Sequence, residues 1–414
     1  MSKPVLTIFY QFNPWQTSIG GIQSIIRSFI KYSPSEFEIR LVGTQNEPSH
    51  SLGQWQEAEL AGKAIRFMPV LTLQNDNQKH LIPTTVKYTA ALWGRYIASD
   101  FMHFHRLEPT LATLNWRGQK TLFIHNDIRQ QIQGTGHKDG ILWQRFPALY
   151  RKIERLLIGQ FEQILSCNSE SVAYYQESYA ELADRVSYIK NTFDEEICYP
   201  LTVEERQQKR RRLAERLNLP EETKFLLFAG RLHAQKDPLL LIRSIAAMND
   251  KNIHLLVVGD GDLQGKISSE IVNLGLSEQV TMLGSVCQSE VAQLMRVCNV
   301  FVLTSAYEGL PIVVLEALAC GTPVVTTRCG ETPNLLGAGS GFVSQERTPT
   351  AIADALRQVL QHPEDYPIKA CVETAKPFSA HHVVSDVYSK MWERWQQKSQ
   401  FEQKNSTTYY EVSV

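Results

Sequence analysis

Ser305-Ala306-Tyr307-Glu308-Gly309-Leu310-Pro311-Ile312-Val313-Val314-Leu315-Glu316-Ala317-Leu318-Ala319-Cys320-Gly321 is the stretch from which the rest of the chain can be read. The apolar run Val300-Phe301-Val302-Leu303 before it reads as a strand that ends at Thr304. A glycine turn follows, and Pro311 suits the first position of a helix, where an N–H would be unpaired anyway. That helix, Ile312 to Ala319, is apolar almost all round and is expected to be buried. Glu316 interrupts it. A carboxylate there needs partners, because an unpaired buried charge is very costly. Two neighbouring ribose hydroxyls would serve; a core arginine is the alternative. The helix start beside Gly309–Pro311 offers free N–H groups and a positive dipole end to a phosphate, and Glu308 points toward the same opening.

Outward from this segment, short apolar runs alternate with helical patterns. Residues 5–12, 38–44, 64–70, 100–105, 121–125, 162–167 and 186–190 read as strands, and 225–228, 254–258, 280–283, 300–303 and 323–326 repeat the style. Near-continuous apolar strands between helices imply parallel sheets covered on both faces. The expected class is therefore α/β, two doubly wound Rossmann-like domains with the carboxyl ends of their sheets at a central cleft, where ligands bind. The 414 residues agree with two to three domains at about 150 each. We place the first domain at 1–200, the second at 201–390, and a helix with a polar tail at 391–414. Between the domains, Thr192–Pro220 carries a charged run in which Arg206–Arg212 reads as a solvated helix face.

The 42 basic and 43 acidic residues leave a net charge of −1, which gives no reason to expect a nucleic-acid partner. No apolar run reaches the roughly 18 residues that span a bilayer, and Met1-Ser2-Lys3-Pro4 enters a strand without a secretory apolar region. Seven scattered cysteines form no Cys-x-x-Cys pair, which suggests reduced buried thiols, no structural zinc and a cytoplasmic protein. Trp143–Leu157, with Arg145, Arg151, Lys152 and Arg155 among apolar residues, reads as an amphipathic helix; peripheral contact with a membrane carrying a lipid-linked acceptor is the second reading.

Other loops at strand ends carry polar groups. Gly230-Arg231-Leu232-His233-Ala234-Gln235-Lys236-Asp237 places two cations where a diphosphate leaving group could be neutralised, Arg by a fork and Lys by a point charge. Gly259-Asp260-Gly261 with Gly265 is one residue too long for a dinucleotide fingerprint and equally suits a plain βα turn. Gly20-Gly21 opens a helix after the first strand, where backbone could approach a phosphate or sugar. His125-Asn126-Asp127 follows one strand, and His103, His105, Arg106 and Glu108 follow another; polar clusters at strand ends suit a cleft, with His105, Arg106 and Glu108 the acceptor-side candidates, though any single histidine here could equally be structural.

The Glu308…Glu316 pair within E-G-L-P-x-x-x-x-E-A-x-A-x-G-x-P-V-V, preceded by Gly230-Arg231…Lys236, resembles glycosyltransferase family 4, with the GT-B fold. The resemblance also takes in the Gly20-Gly21 loop, His125, the Val257–Gly261 turn and the final helix. It implies that Arg231 and Lys236 hold the donor diphosphate, that Glu316 binds the ribose and that Glu308 contacts the donor sugar. It places Leu310, Pro311 and Ile312 at the phosphates beside Gly230, Gly259 and Gly261, has Gly21 close over the donor, and sets His125 near the sugar. It implies retention of anomeric configuration, no metal or other cofactor, and a C-terminal helix crossing back to the first domain. The chain departs from the family where a glycine pair reads Gly330-Glu331, an acid reads Asn334, and Asn-Gly reads Asn191-Thr192. The expected donor is UDP-glucose, the sugar by resemblance to bacterial exopolysaccharide transferases, with GDP and ADP open. The expected acceptor is a saccharide or lipid-linked saccharide. An epimerase or phosphorylase of the same fold and a non-catalytic nucleotide-sugar-binding protein are the alternatives.

Overall fold

The computed structural model describes residues 3–15, 20–46, 51–73, 82–125 and 147–411. Asn126, Asp127, Trp143 and Arg145 lie outside these residues. The first half forms an eight-stranded sheet, β1 (Val5–Phe9), β2 (Glu38–Gln45), β3 (Gln56–Leu60), β4 (Lys63–Thr72), β5 (Phe101–Phe104), β6 (Gln119–Ile124), β7 (Gln163–Ser166) and β8 (Val186–Tyr188), in the order β3-β4-β2-β1-β5-β6-β7-β8. All pairs are parallel except β3 with β4, which are joined through Ala61 and Gly62, both at positive φ. The second half forms a six-stranded sheet, β9 (Lys224–Ala229), β10 (Ile253–Val258), β11 (Val280–Gly284), β12 (Val300–Leu303), β13 (Val324–Thr327) and β14 (Gly341–Ser344), all parallel, in the order β11-β10-β9-β12-β13-β14.

Strand order reverses between β9 and β12 in the second sheet and between β1 and β5 in the first. Ligands of doubly wound sheets bind outside the strand ends at such points. The central strands are legible because both faces are buried: β10 is buried at every position and β9 at all but its first residue. The edge strands β3 and β14, absent from the sequence reading, are not. Gln56-Glu57-Ala58-Glu59-Leu60 buries only Leu60, and β14 buries only Ser344.

Between the sheets the helix Val203–Arg216 begins at a capping box of Thr202 and Glu205. It corrects the reading of Arg206–Arg212 as a solvated face. Arg206 is buried and donates to the carbonyls of Gly321 (2.7 Å) and Cys298 (2.6 Å) and to Thr322 Oγ1 (2.8 Å), while Arg210 Nε reaches Val297 O at 2.8 Å. Two of the run's cations thus close open carbonyls behind the second sheet.

The helix Ala380–Glu411 crosses back to the first sheet. Ala380 N donates to Phe193 O (2.9 Å), tying the two inter-domain segments together. Buried Tyr388 packs on Phe29 and Phe37 and donates to Phe29 O at 2.8 Å. Trp392 and Trp395 stack 5.3 Å apart against the same cluster. Helix continues to Glu411, through most of what reads as a polar tail. All seven cysteines are free, six of them buried. Among the described residues no helix is long and apolar enough to cross a membrane.

Candidate active site at the domain interface

Lys236 and Glu308 come from loops on either side of the reversal point, after β9 and β12. The loops are bolted together by backbone needs: Ala306 N donates to Gln235 O (2.7 Å), and Thr304 Oγ1 to the carbonyls of Lys236 and Asp237 (3.0 and 2.9 Å). Lys236 Nζ then meets Glu308 Oε1 at 2.5 Å, and Ser305 Oγ donates to the same oxygen at 2.6 Å. Glu308 is 5% exposed, so its carboxylate depends on these two donors in place of water. Both donors use one carboxylate oxygen. Arg231, earlier in the same loop, is exposed.

Pro311 caps the Ile312–Ala319 helix, one residue before the position read from sequence. Leu310, Pro311 and Ile312 are all buried at the helix start. Glu316, on the second turn, is 7% exposed. Its Oε1 accepts from Gln288 Nε2 at 2.7 Å, a neutral partner in place of the core arginine considered from sequence. Burial raises its pKa above the usual carboxylate range, with Asp194 adding to the effect and the Gln288 bond opposing it.

Three of the glycines have backbone reasons. Gly259 (φ 134°) and Gly261 (φ 156°) lie where a Cβ would stand 1.9 Å from Gly230 O and 2.6 Å from Leu232 O, so neighbouring βα turns nest only without side chains. That packing requirement accounts for the Gly259-Asp260-Gly261 turn by itself. A Cβ on Gly309 would meet His125 O at 2.3 Å, a backbone approach across the cleft. Gly20 and Gly21 differ: neither has positive φ, and a Cβ on Gly21 would make an ordinary 3.4 Å contact with Ile312 Cδ1. The start of the Gly21–Lys31 helix thus already touches the helix of Glu316.

Further contacts join the walls. Asn191 Nδ2 donates to Leu310 O (2.5 Å), while within the first domain Cys167 Sγ donates to His125 O (3.4 Å). Ser169 N and Oγ both donate to Glu331 Oε1 at 2.5 Å. Glu331, which sequence showed only as a departure from a glycine, therefore receives the N-terminus of the first-domain helix Ser169–Ser178. On the first-domain wall His105 Nδ1 lies 2.9 Å from His125 Nε2. Burial lowers both imidazole pKa values, that of His125 to about 3 with Arg106 contributing, so both rings are neutral near pH 7. Arg106 hydrogen-bonds Tyr10 and lies beside Glu108. Among the described residues no cluster of three or more His, Cys, Asp or Glu could hold a metal ion.

The structure thus brings Lys236, Glu308, Gly309, Leu310, His125 and His105 to one seam, with Glu316 a turn behind it and Arg231 at its rim. Ser305, Gln288, Ser169 and the role of Glu331 were missed. Only Glu331 carried a signal, as an acid in a glycine position.

Two facing doubly wound domains with a crossing C-terminal helix define the GT-B fold. The chain is similar over 95% of its length to sucrose-phosphate synthase from Thermosynechococcus elongatus, which it covers completely (TM-score 0.77, 16% identity). It is likewise similar to Anabaena HepE in complex with UDP-glucose (TM-score 0.68, 17% identity, 94% of this chain and 100% of that one). Residues 209–376 match the family described as glycosyl transferases group 1. D-inositol 3-phosphate glycosyltransferase of Corynebacterium glutamicum is 27% identical over 226 residues, 52% of each chain. The chain spans about half the length, or less, of the curated relatives it matches.

Proposed function

We propose that the protein is a retaining glycosyltransferase of family 4 type. It moves a hexose, glucose first among candidates, from UDP-sugar to a saccharide or lipid-linked saccharide in polysaccharide synthesis in the cytoplasm, with no metal or other cofactor. The observation that carries this is the seam itself: a cation, a buried carboxylate and a helix start at the reversal point of one sheet, closed by the imidazole-bearing wall of the other. As the donor bond breaks, negative charge grows on the diphosphate. Lys236, Arg231 and the N–H groups at the Ile312–Ala319 helix start are preplaced for it, and such preorganised charge is usually the largest catalytic contribution. Lys236 has three donors, so it can hold Glu308 and a phosphate oxygen together. Glu316, buried and, among the described residues, hydrogen-bonded to the neutral amide of Gln288, suits the ribose hydroxyls, while Glu308 has Oε2 for a sugar hydroxyl. A departing phosphate oxygen takes the acceptor proton on the face the sugar leaves, which keeps the anomeric configuration. HepE, of the same fold, has been crystallised with UDP-glucose, which supports the choice of donor.

The test incubates the full-length protein with UDP-, GDP- and ADP-glucose and follows nucleotide release and sugar anomer by NMR. Fastest consumption of UDP-glucose with retained configuration is expected. Binding without turnover of any of the three would contradict the reading and leave a nucleotide-sugar-binding protein.

A further inference from the structure

His105 and His125 come from the ends of adjacent strands, β5 and β6. Their ring planes are 13° apart, their centroids 5.1 Å apart and the facing nitrogens 2.9 Å apart. Faces in contact could not bring nitrogens that close, so the rings lie nearly in one plane, edge to edge, with Phe123 stacked 4.8 Å from the His105 ring. Two neutral imidazoles in this arrangement share one proton, and each carries only one N–H. If His125 Nε2 donated, the proton of His105 would sit on its own Nε2. That atom is buried and has no hydrogen-bond partner among the described residues. A buried N–H without an acceptor is rare in proteins and costly. With the proton on His105 Nδ1 instead, only a lone pair faces the apolar interior. His125 Nε2 must then accept, and the proton of His125 moves to Nδ1. His125 is less buried than His105, and its carbonyl adjoins Gly309 of the facing domain.

We propose that His105 is a positioning residue that locks His125 in its Nδ1–H tautomer, so that His125 offers the donor sugar a hydrogen-bond donor and no basic nitrogen. The choice of ligand rests on the reading of His125 as a sugar contact; the tautomer does not. Solvated imidazoles favour the Nε2–H form, so the lock is visible spectroscopically. His105 acts only through His125.

The experiment labels histidine with 15N in the full-length protein, without substrate, and records long-range proton–nitrogen correlations at neutral pH. Wild type is expected to show protonated Nδ1 and bare Nε2 on both His105 and His125. His105→Phe, which keeps the ring but removes the donor, should return His125 to the Nε2–H form. His105→Asn, whose amide nitrogen falls near the place of Nδ1, should preserve the Nδ1–H form and confirms a folded protein if the phenylalanine variant does not fold. Transfer should fall about tenfold in His105→Phe, the scale of one misdirected hydrogen bond, and recover in His105→Asn. Protonated Nε2 on wild-type His125, or no change of tautomer in His105→Phe, would overturn the proposal. The expected tautomers with unchanged transfer in His105→Phe would leave the lock standing and instead overturn the placement of His125 against the sugar.

Discussion

The two walls of the cleft are built by different means. On the second-domain wall, Gly230–Lys236 and Thr304–Pro311 are unbroken loops between a strand and a helix. Their functional groups include backbone N–H, a capping proline and glycines that allow close packing. On the first-domain wall the groups are side chains from separate strand ends, and they meet only when β5 and β6 pair. The second-domain wall offers charge and backbone donors, whereas the first-domain wall offers neutral imidazoles in an apolar setting. On the function proposed above, the difference would give the diphosphate to the second domain and orientation of the sugar to the first.

The largest expected effect lies on the charged wall. Lys236→Ala should lower turnover by about 10²–10³, roughly 3–4 kcal/mol of preorganised charge. It should also lower the melting temperature, because buried Glu308 would keep only Ser305. Arg231→Ala should slow turnover comparably without touching stability, since Arg231 is exposed. Steady-state rates with thermal melts separate the two, and turnover within a fewfold of wild type would remove either residue from the diphosphate.

Between the walls, Glu331→Ala removes the carboxylate that holds Ser169. Hydrogen bonds to charged groups are worth about 1.5–3 kcal/mol, so the closed arrangement should lose roughly tenfold or more of its population. Small-angle scattering should show a larger radius of gyration, with turnover reduced and UDP affinity unchanged. An unaltered radius with full activity would mean that the interface closes without this tie.

The smallest effect concerns what the charge of Glu316 does to the stability of the fold. Its folded pKa lies above its unfolded value because burial disfavours the charge. The folded state therefore binds the proton more tightly, and stability is lost as pH rises from the unfolded value near 4.5 through the raised folded one. Glu316→Gln removes that penalty and keeps an acceptor for Gln288. It should raise stability at pH 7, and by less as pH falls toward 4.5, in chemical melts. A variant less stable than wild type at pH 7 would show that the ionised form is already well satisfied.

The same contrast explains what could be read from sequence. The Leu303–Ala319 stretch was legible because strand, turn, cap and buried helix are contiguous, and Glu316 stood out against apolar neighbours. Gln288 did not, since it lies 28 residues away on the helix Gln288–Val297 and looks like any exposed amide. His105 and His125 were visible as histidines at strand ends, but their pairing depends on the β5–β6 register, which no local pattern encodes. Arg206 was misread because a charged run hides which of its members turns inward. The crossing helix also changes the experiments available. Tyr388, Met391 and Trp392 bury themselves on the first domain, so a fragment beginning near residue 201 would expose that face, and the intact chain is the better subject.

The central claim is the division of labour between the two glutamates, and calorimetric titration of the intact chain with UDP tests it most directly. Glu316→Ala should weaken UDP binding by about 1.5–3 kcal/mol, the scale of hydrogen bonds to a charged group. Glu308→Ala should leave UDP affinity nearly unchanged while impairing consumption of UDP-glucose. Equal losses of UDP affinity in the two variants, or none in Glu316→Ala, would contradict the assignment of ribose to Glu316 and of sugar to Glu308.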